Sequence, residues 1–131
     1  MLPALSRSGT GMRIERVSAV TLFVSDMRRS CAFYQALGFA LKFGGRDAIF
    51  TSFHAGEGFL NLAKTKAHTT GWGRAIFHVE DVDALYAHSL ERGLKPDFAP
   101  SDAPWGERYF HIKDPDGHAL SFATPLPGGP Y

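Results

Sequence analysis

The chain has 131 residues, 44% hydrophobic and 21% charged, with a formal net charge of +1. That length suits one domain with a core of its own, and the near-neutral charge without a basic cluster gives no electrostatic footprint for nucleic acid. No apolar run approaches the length of a membrane helix, and a single cysteine, Cys31, excludes an intrachain disulfide and fits a reducing, cytoplasmic compartment.

Residues 1–13 read as a loose leader, broken by Pro3, Gly9 and Gly11 and lacking the apolar h-region of a signal peptide. Met12 is an alternative start. Residues 17–24 predict a strand. Asp26 is placed to cap a helix over residues 27–37 that Gly38 stops, with Met27, Cys31, Tyr34 and Leu37 on one face. Cys31 in that apolar pattern reads as a packing residue. Residues 48–54 and 59–63 predict two strands around the turn at Gly56, and residues 64–71 a polar connection. Residues 74–79 predict a further strand. Asp81 caps a second helix over 82–92, with Val82, Leu85, Tyr86 and Leu90 along one side and Gly93 as its stop. Residues 98–105, with Pro100 and Pro104, read as a loop or irregular edge. Residues 108–113 and 119–123 predict a hairpin around Asp114-Pro115-Asp116-Gly117, where Pro presets φ, Asp bonds back to the backbone and Gly accepts φ > 0. A Pro/Gly tail, residues 127–131, ends the chain.

The order strand–helix–strands occurs twice. Residues 19–39 laid on 74–94 match Val24 with Val79, Asp26 with Asp81, Ala32 with Ala87 and Gly38 with Gly93. Leu60-Asn61-Leu62-Ala63 echoes Leu120-Ser121-Phe122-Ala123. The matches fall on strand, cap and helix stop, where a shared geometry requires them. They predict two βαβββ modules, about residues 14–66 and 70–126, in one domain over 14–126.

The final hairpin, F-x-I-x-D-P-D-G-H-x-L-x-F over residues 110–122, follows Pro104-Trp105-Gly106-Glu107-Arg108. In this it resembles the last two strands of the glyoxalase/bleomycin resistance protein/dioxygenase superfamily, the vicinal oxygen chelate fold, and its bleomycin-resistance-like branch. The resemblance implies an α+β fold whose paired modules curl mixed sheets around a cavity. It also implies metal ligands, usually His and Glu, on the first and last strand of each module. Carried over, those positions are Ala19, from Ala19-Val20-Thr21-Leu22-Phe23-Val24-Ser25-Asp26 where the family pattern begins with His, then Asn61, Arg74 and Ser121. Ala19 has no donor, Arg74 is permanently cationic, and Asn61 and Ser121 are poor neutral ligands. The expected metal is therefore none. No P-loop or dinucleotide fingerprint implies a cofactor.

Strand alternation assigns the two faces. With Ala19 inward, so are Thr21, Phe23, Phe59, Asn61, Arg74, Ile76, His78, Ala119 and Ser121. Val20, Leu22, Val24, Phe77, Val79, Leu120 and Phe122 then face the helices. The parity of Ser52 and His54 is unanchored. Simple hairpin counting pairs Phe110 with Ser121, whereas the resemblance turns His111 into the cavity; a bulge would reconcile them. His68, His88 and His118 read as exposed, and no carboxylate is placed in the cavity. Arg74 either faces the ligand or reaches the rim or an acid such as Glu107. The expected ligand-binding set is Thr21, Phe23, His54, Phe59, Asn61, Arg74, His78, Trp105, His111 and Ser121.

These readings predict a metal-independent protein that binds a small neutral or anionic molecule, resembling bleomycin-resistance-type sequesterers, with no nucleic-acid or membrane partner. Homodimerisation is implied by the resemblance. An enzyme of the same superfamily, a lyase, isomerase or dioxygenase using His54, His78 or His111 as acid or base, is the alternative. A cavity filled by its own side chains is the third reading.

Overall fold

The computed structural model describes residues 12–66 and 70–130. Strand β1 (Ala19–Val24) leads into Asp26, whose carboxylate accepts from the Arg29 N–H at 3.1 Å and caps helix α1 (Met27–Ala36). Strands β2 (Ala40–Phe43), β3 (Phe50–Ala55) and β4 (Gly58–Lys64) complete a first sheet in the order β1-β4-β3-β2. The second half repeats this plan. Strand β5 (Arg74–His78) is followed by Asp81, which caps helix α2 (Val82–Glu91) by accepting from Ala84 N–H at 3.0 Å. Strands β6 (Ser101–Asp102), β7 (Glu107–Lys113) and β8 (Ala119–Pro125) give the order β5-β8-β7-β6. In each sheet the first strand lies parallel to the last and the last two form an antiparallel hairpin. Each helix is the crossover that this parallel pairing requires.

Alternation divides the strands as expected. Leu22, Val24, Phe53, Leu60 and Leu62 of the first sheet share one buried cluster with Phe110, Ile112, Leu120 and Phe122 of the second. Met27, Cys31, Tyr34 and Leu37 of the first helical segment join it. Phe39 packs edge-on against Phe77 and Phe122, with ring centroids 5.2 and 6.2 Å away, so the two halves share one core. The opposite faces are open: Phe23 is 51% and Ile76 62% exposed.

Five expectations are corrected. β2 was not predicted; it is an exposed edge strand with no buried alternation to betray it. Residues 98–105 contain the short strand β6. Leu90 is exposed and Ser89 takes its place in the core, because 82, 85/86 and 89 make the true 3.6-residue stripe. Phe110 pairs with Phe122 and His111 with Ser121, so no bulge is needed. The hairpin loop runs from 114 to 118 between the paired Lys113 and Ala119, one residue longer than simple counting assumed.

His118 is the fifth. It is 1% exposed, not solvated. Its backbone N–H donates to Asp114 Oδ1 at 2.8 Å and its Nε2 lies 2.7 Å from the Phe23 carbonyl of β1. The Trp72 indole donates to its Nδ1 at 3.3 Å. From the same loop, Asp116 accepts from Ser25 Oγ at 2.6 Å and Asp114 from the buried Tyr34 hydroxyl at 2.8 Å. The loop is thus a polar clasp between the halves. His88 is half-buried on α2, and His68 lies outside the described residues.

Candidate ligand-binding face

The open face of the second sheet collects most of the expected polar residues. In register across it lie Arg74, Ala119 and Lys113, then Ile76, Ser121 and His111, then His78, Ala123 and Tyr109. The middle strand offers only small side chains, so the two outer rows stand as walls about 10 Å apart by ordinary strand spacing.

Arg74 lies across this floor. Its Nη1 donates to the Leu120 carbonyl at 3.0 Å and to Ser121 Oγ at 3.3 Å. It therefore does not pair with Glu107, and the residue remains exposed to solvent. Glu107 itself corrects the expectation that no carboxylate is placed here. It is 7% exposed, and its two oxygens take separate partners. One is held by His78 Nε2 in a short contact, the other by the Trp105 indole N–H at 2.9 Å.

Aromatic rings line the far wall. Trp105 packs at a tilt against Tyr109 with ring centroids 5.5 Å apart, Tyr109 likewise against His111 at 5.1 Å, and Phe98 touches both Tyr109 and His111 at 5.5 and 5.0 Å. Burial, and next the Arg74 charge, push the His111 pKa below its ordinary value, so the imidazole is neutral near pH 7.

The remaining expected residues sit on the first sheet. Thr21, Asn61 and Ser52 are in register, with Asn61 Nδ2 donating to Thr21 Oγ1 at 3.3 Å. His54 pairs with Phe59, ring centroids 5.8 Å apart, which anchors its parity on the open face. Lys42 Nζ stands 5.0 Å over the Phe59 ring. Phe23 is exposed on the same face of β1 as Thr21. The ten residues therefore do not form one constellation. Arg74, His78, His111 and Ser121 share the second sheet, with Trp105 in the turn before β7; Thr21, Phe23, His54, Phe59 and Asn61 share the first. His54 and His78 line one inter-sheet cleft of about 390 Å³ with Ile76, Phe39, Phe77 and Phe122. Glu107, Tyr109 and Phe98 were missed as site residues. Strand alternation from His111 would have found the first two, since 107, 109 and 111 share a face.

A family model described as the Glyoxalase/Bleomycin resistance protein/Dioxygenase superfamily matches residues 16–122. The chain belongs to that superfamily. Its sequence is 29% identical over 117 residues to the uncharacterized protein YraH of Bacillus subtilis, covering 77% of this chain and 91% of YraH. Its fold superposes on a superfamily member from Sphaerobacter thermophilus with a TM-score of 0.69 and 25% identity, covering 85% and 98% of the two chains. It also superposes on a lactoylglutathione lyase from Agrobacterium tumefaciens with a TM-score of 0.70, at 19% identity over 85% of this chain and 94% of that one.

The superfamily's metal positions, carried onto this structure, do not fit a divalent cation. Ala19 offers no donor, and the Asn61 amide is turned to Thr21. At the other two, the fixed charge of Arg74 stands 3.3 Å from Ser121 Oγ. Among the described residues, no three His, Cys, Asp or Glu side chains gather as a ligand set.

Proposed function

We propose that this protein binds a small neutral or anionic molecule without a metal ion, on the open face of the second sheet. The observation that carries this reading is the Arg74 guanidinium lying beside Ser121, where superfamily enzymes hold their cation. An organic cation there serves the same electrostatic end as a metal, attracting a carboxylate, a phosphate or a polarised carbonyl through charge-assisted hydrogen bonds. Exposed Ile76 and the Tyr109, Phe98 and Trp105 rings provide the apolar wall for a ring or short aliphatic body. Residues 14–126 form the functional domain in this reading. Bleomycin-type cations are poor candidates beside Arg74, and both oxygens of buried Glu107 are already engaged, by His78 and Trp105.

Calorimetry with benzoate as the probe tests the reading. Saturable binding is expected, weakened about 10- to 150-fold in Arg74→Ala, from the roughly 1.5–3 kcal/mol of a hydrogen bond to a charged group. Unchanged benzoate affinity in that variant counts against it. The paired open faces also favour a homodimer in a cytoplasmic setting, in which a second copy covers Phe23 and Ile76.

An enzymatic reading is favoured by one observation, the His78–Glu107 pair with Trp105 behind it. A carboxylate that orients an imidazole is the arrangement of a general acid or base. Turnover of any superfamily-type substrate that disappears in His78→Gln would select it over simple binding.

A further inference from the structure

The two halves meet at two junctions related by the internal repeat, and these are closed differently. At one, the loop 114–118 reaches from the β7–β8 hairpin to β1. Asp116 binds Ser25, and His118 reaches the Phe23 carbonyl with the Trp72 indole donating to its other nitrogen at 3.3 Å. At the other, the β3–β4 hairpin turns in two residues, Gly56 and Glu57, between the paired Ala55 and Gly58. The repeat sets Gly58 where His118 stands, Gly56 where Asp116 stands and Val17 where Trp72 stands. None of these supplies a ring or a polar side chain to close the gap. The cleft of about 390 Å³ opens there, between the β3–β4 turn and the end of β5.

We propose that this cleft is a second binding site, adjoining the Arg74 face at Ile76 and His78 but not including Arg74, for a small uncharged aromatic molecule bearing one N–H or O–H donor, such as an indole- or phenol-like ring. Its volume lies within the range of small-molecule pockets, about 300–1,000 Å³. Buried Phe122 and half-buried Phe39 and Phe77 give it an aromatic lining, which another ring packs against in edge-to-face or offset geometry. No Lys, Arg, Asp or Glu lines it, so an ionic ligand would lose hydration without a partner. Its polar side chains are two imidazoles, His54 and His78; His78 is engaged by Glu107, and His54 is the acceptor for the ligand's donor. A neutral imidazole accepts one hydrogen bond. The chain itself shows how such a junction is filled: at the related one, an aromatic N–H donates to an imidazole nitrogen.

The site does not depend on the Arg74 reading, and the test keeps them apart. Full-length protein is titrated with indole while ¹H–¹⁵N correlation spectra are recorded. Saturable shifts are expected at Gly38, Gly56 and Val79, which border the cleft. 1-Methylindole, which lacks the donor, should bind about five- to tenfold more weakly, the effect of one ordinary hydrogen bond. Ala55→Trp, which places an indole from the half-buried turn into the cleft, should weaken indole binding at least tenfold, and Arg74→Ala less than twofold. No saturable shift at Gly38 and Gly56, equal affinity for the two indoles, or shifts confined to the Arg74 face or to Trp72 would overturn the proposal. Should Ala55→Trp fail to fold, the titrations of the unaltered chain decide it alone.

Discussion

His111 shows how a single side chain carries the chemistry of its surroundings. Burial, then the neighbouring Arg74 charge, lower its pKa, against the opposing pull of Asp97, while Lys113 acts in the same direction as Arg74. The unfolded chain therefore binds a proton near pH 6.5 that the folded chain still refuses. The folded state should lose stability as pH falls from about 6.5 through the lowered folded value, a loss that His111→Gln should remove in denaturant titrations at successive pH values. An anion on Arg74 favours the imidazolium, so benzoate affinity should rise over the same descent until the ligand itself protonates. Tyr34 behaves oppositely. Burial, and then the Asp114 charge, push its pKa up, so it stays a neutral donor to Asp114. Tyr34→Phe should cost about 1–3 kcal/mol, the price of leaving a buried carboxylate oxygen short of a partner. Cys31 is fully buried with its pKa raised by desolvation. Native protein should resist thiol-labelling reagents until it is unfolded.

At the scale of elements, the features with local causes were legible. Asp26 and Asp81 were readable as caps because a carboxylate before an apolar helix face has one good use. Asp26→Ala should lower stability by about 1 kcal/mol. Gly38 and Gly93 stop their helices with φ of 97° and 80°. Strand parity came from alternation, which a half-buried sheet imposes. What was not legible depends on distant partners. β2 is exposed along its whole length and is held by pairing with β3 alone, so only the partner defines it. Gly44 just after it shows how tightly that pairing is fixed. A Cβ there would stand 2.4 Å from the Phe50 carbonyl, at φ 88°. Gly44→Ala should destabilise by more than about 1 kcal/mol, measured as a drop in urea midpoint. The repeat put Arg74 and His78 on the same face of β5, as the register has them. Glu107 was misjudged as a partner for Arg74 because its actual partner, His78, lies on another strand 29 residues away.

On the scale of the molecule, the two halves pack their helix-side faces into one core and leave both other faces open. That arrangement is the reason to expect a second copy. Light scattering at micromolar concentration should give about twice the 14.3 kDa of the chain. A mass of one chain would mean that Phe23 and Ile76 stay in water. The departure from the superfamily's metal donors makes a further expectation. Untagged protein should contain no stoichiometric zinc, iron, manganese or nickel by elemental analysis. One tightly held metal per chain, lost together with ligand binding on chelation, would refute it.

The clasp also bears on how fast the molecule forms and comes apart. Ser25 and Asp116 are 91 residues apart in the chain, and Phe23 and His118 are 95 apart. Contacts of such separation form only after the loop-closure entropy between them has been overcome. Each hairpin, with its short loop, can assemble before that. The clasp should therefore be absent from the folding transition state. Asp116→Ala is expected to speed unfolding while leaving the refolding rate nearly unchanged, the behaviour of a low-φ position in a chevron plot. Refolding slowed in proportion to the lost stability would put the junction in the nucleus instead. On the expected outcome, the Asp-Pro-Asp-Gly-His loop governs the lifetime of the native state more than its formation.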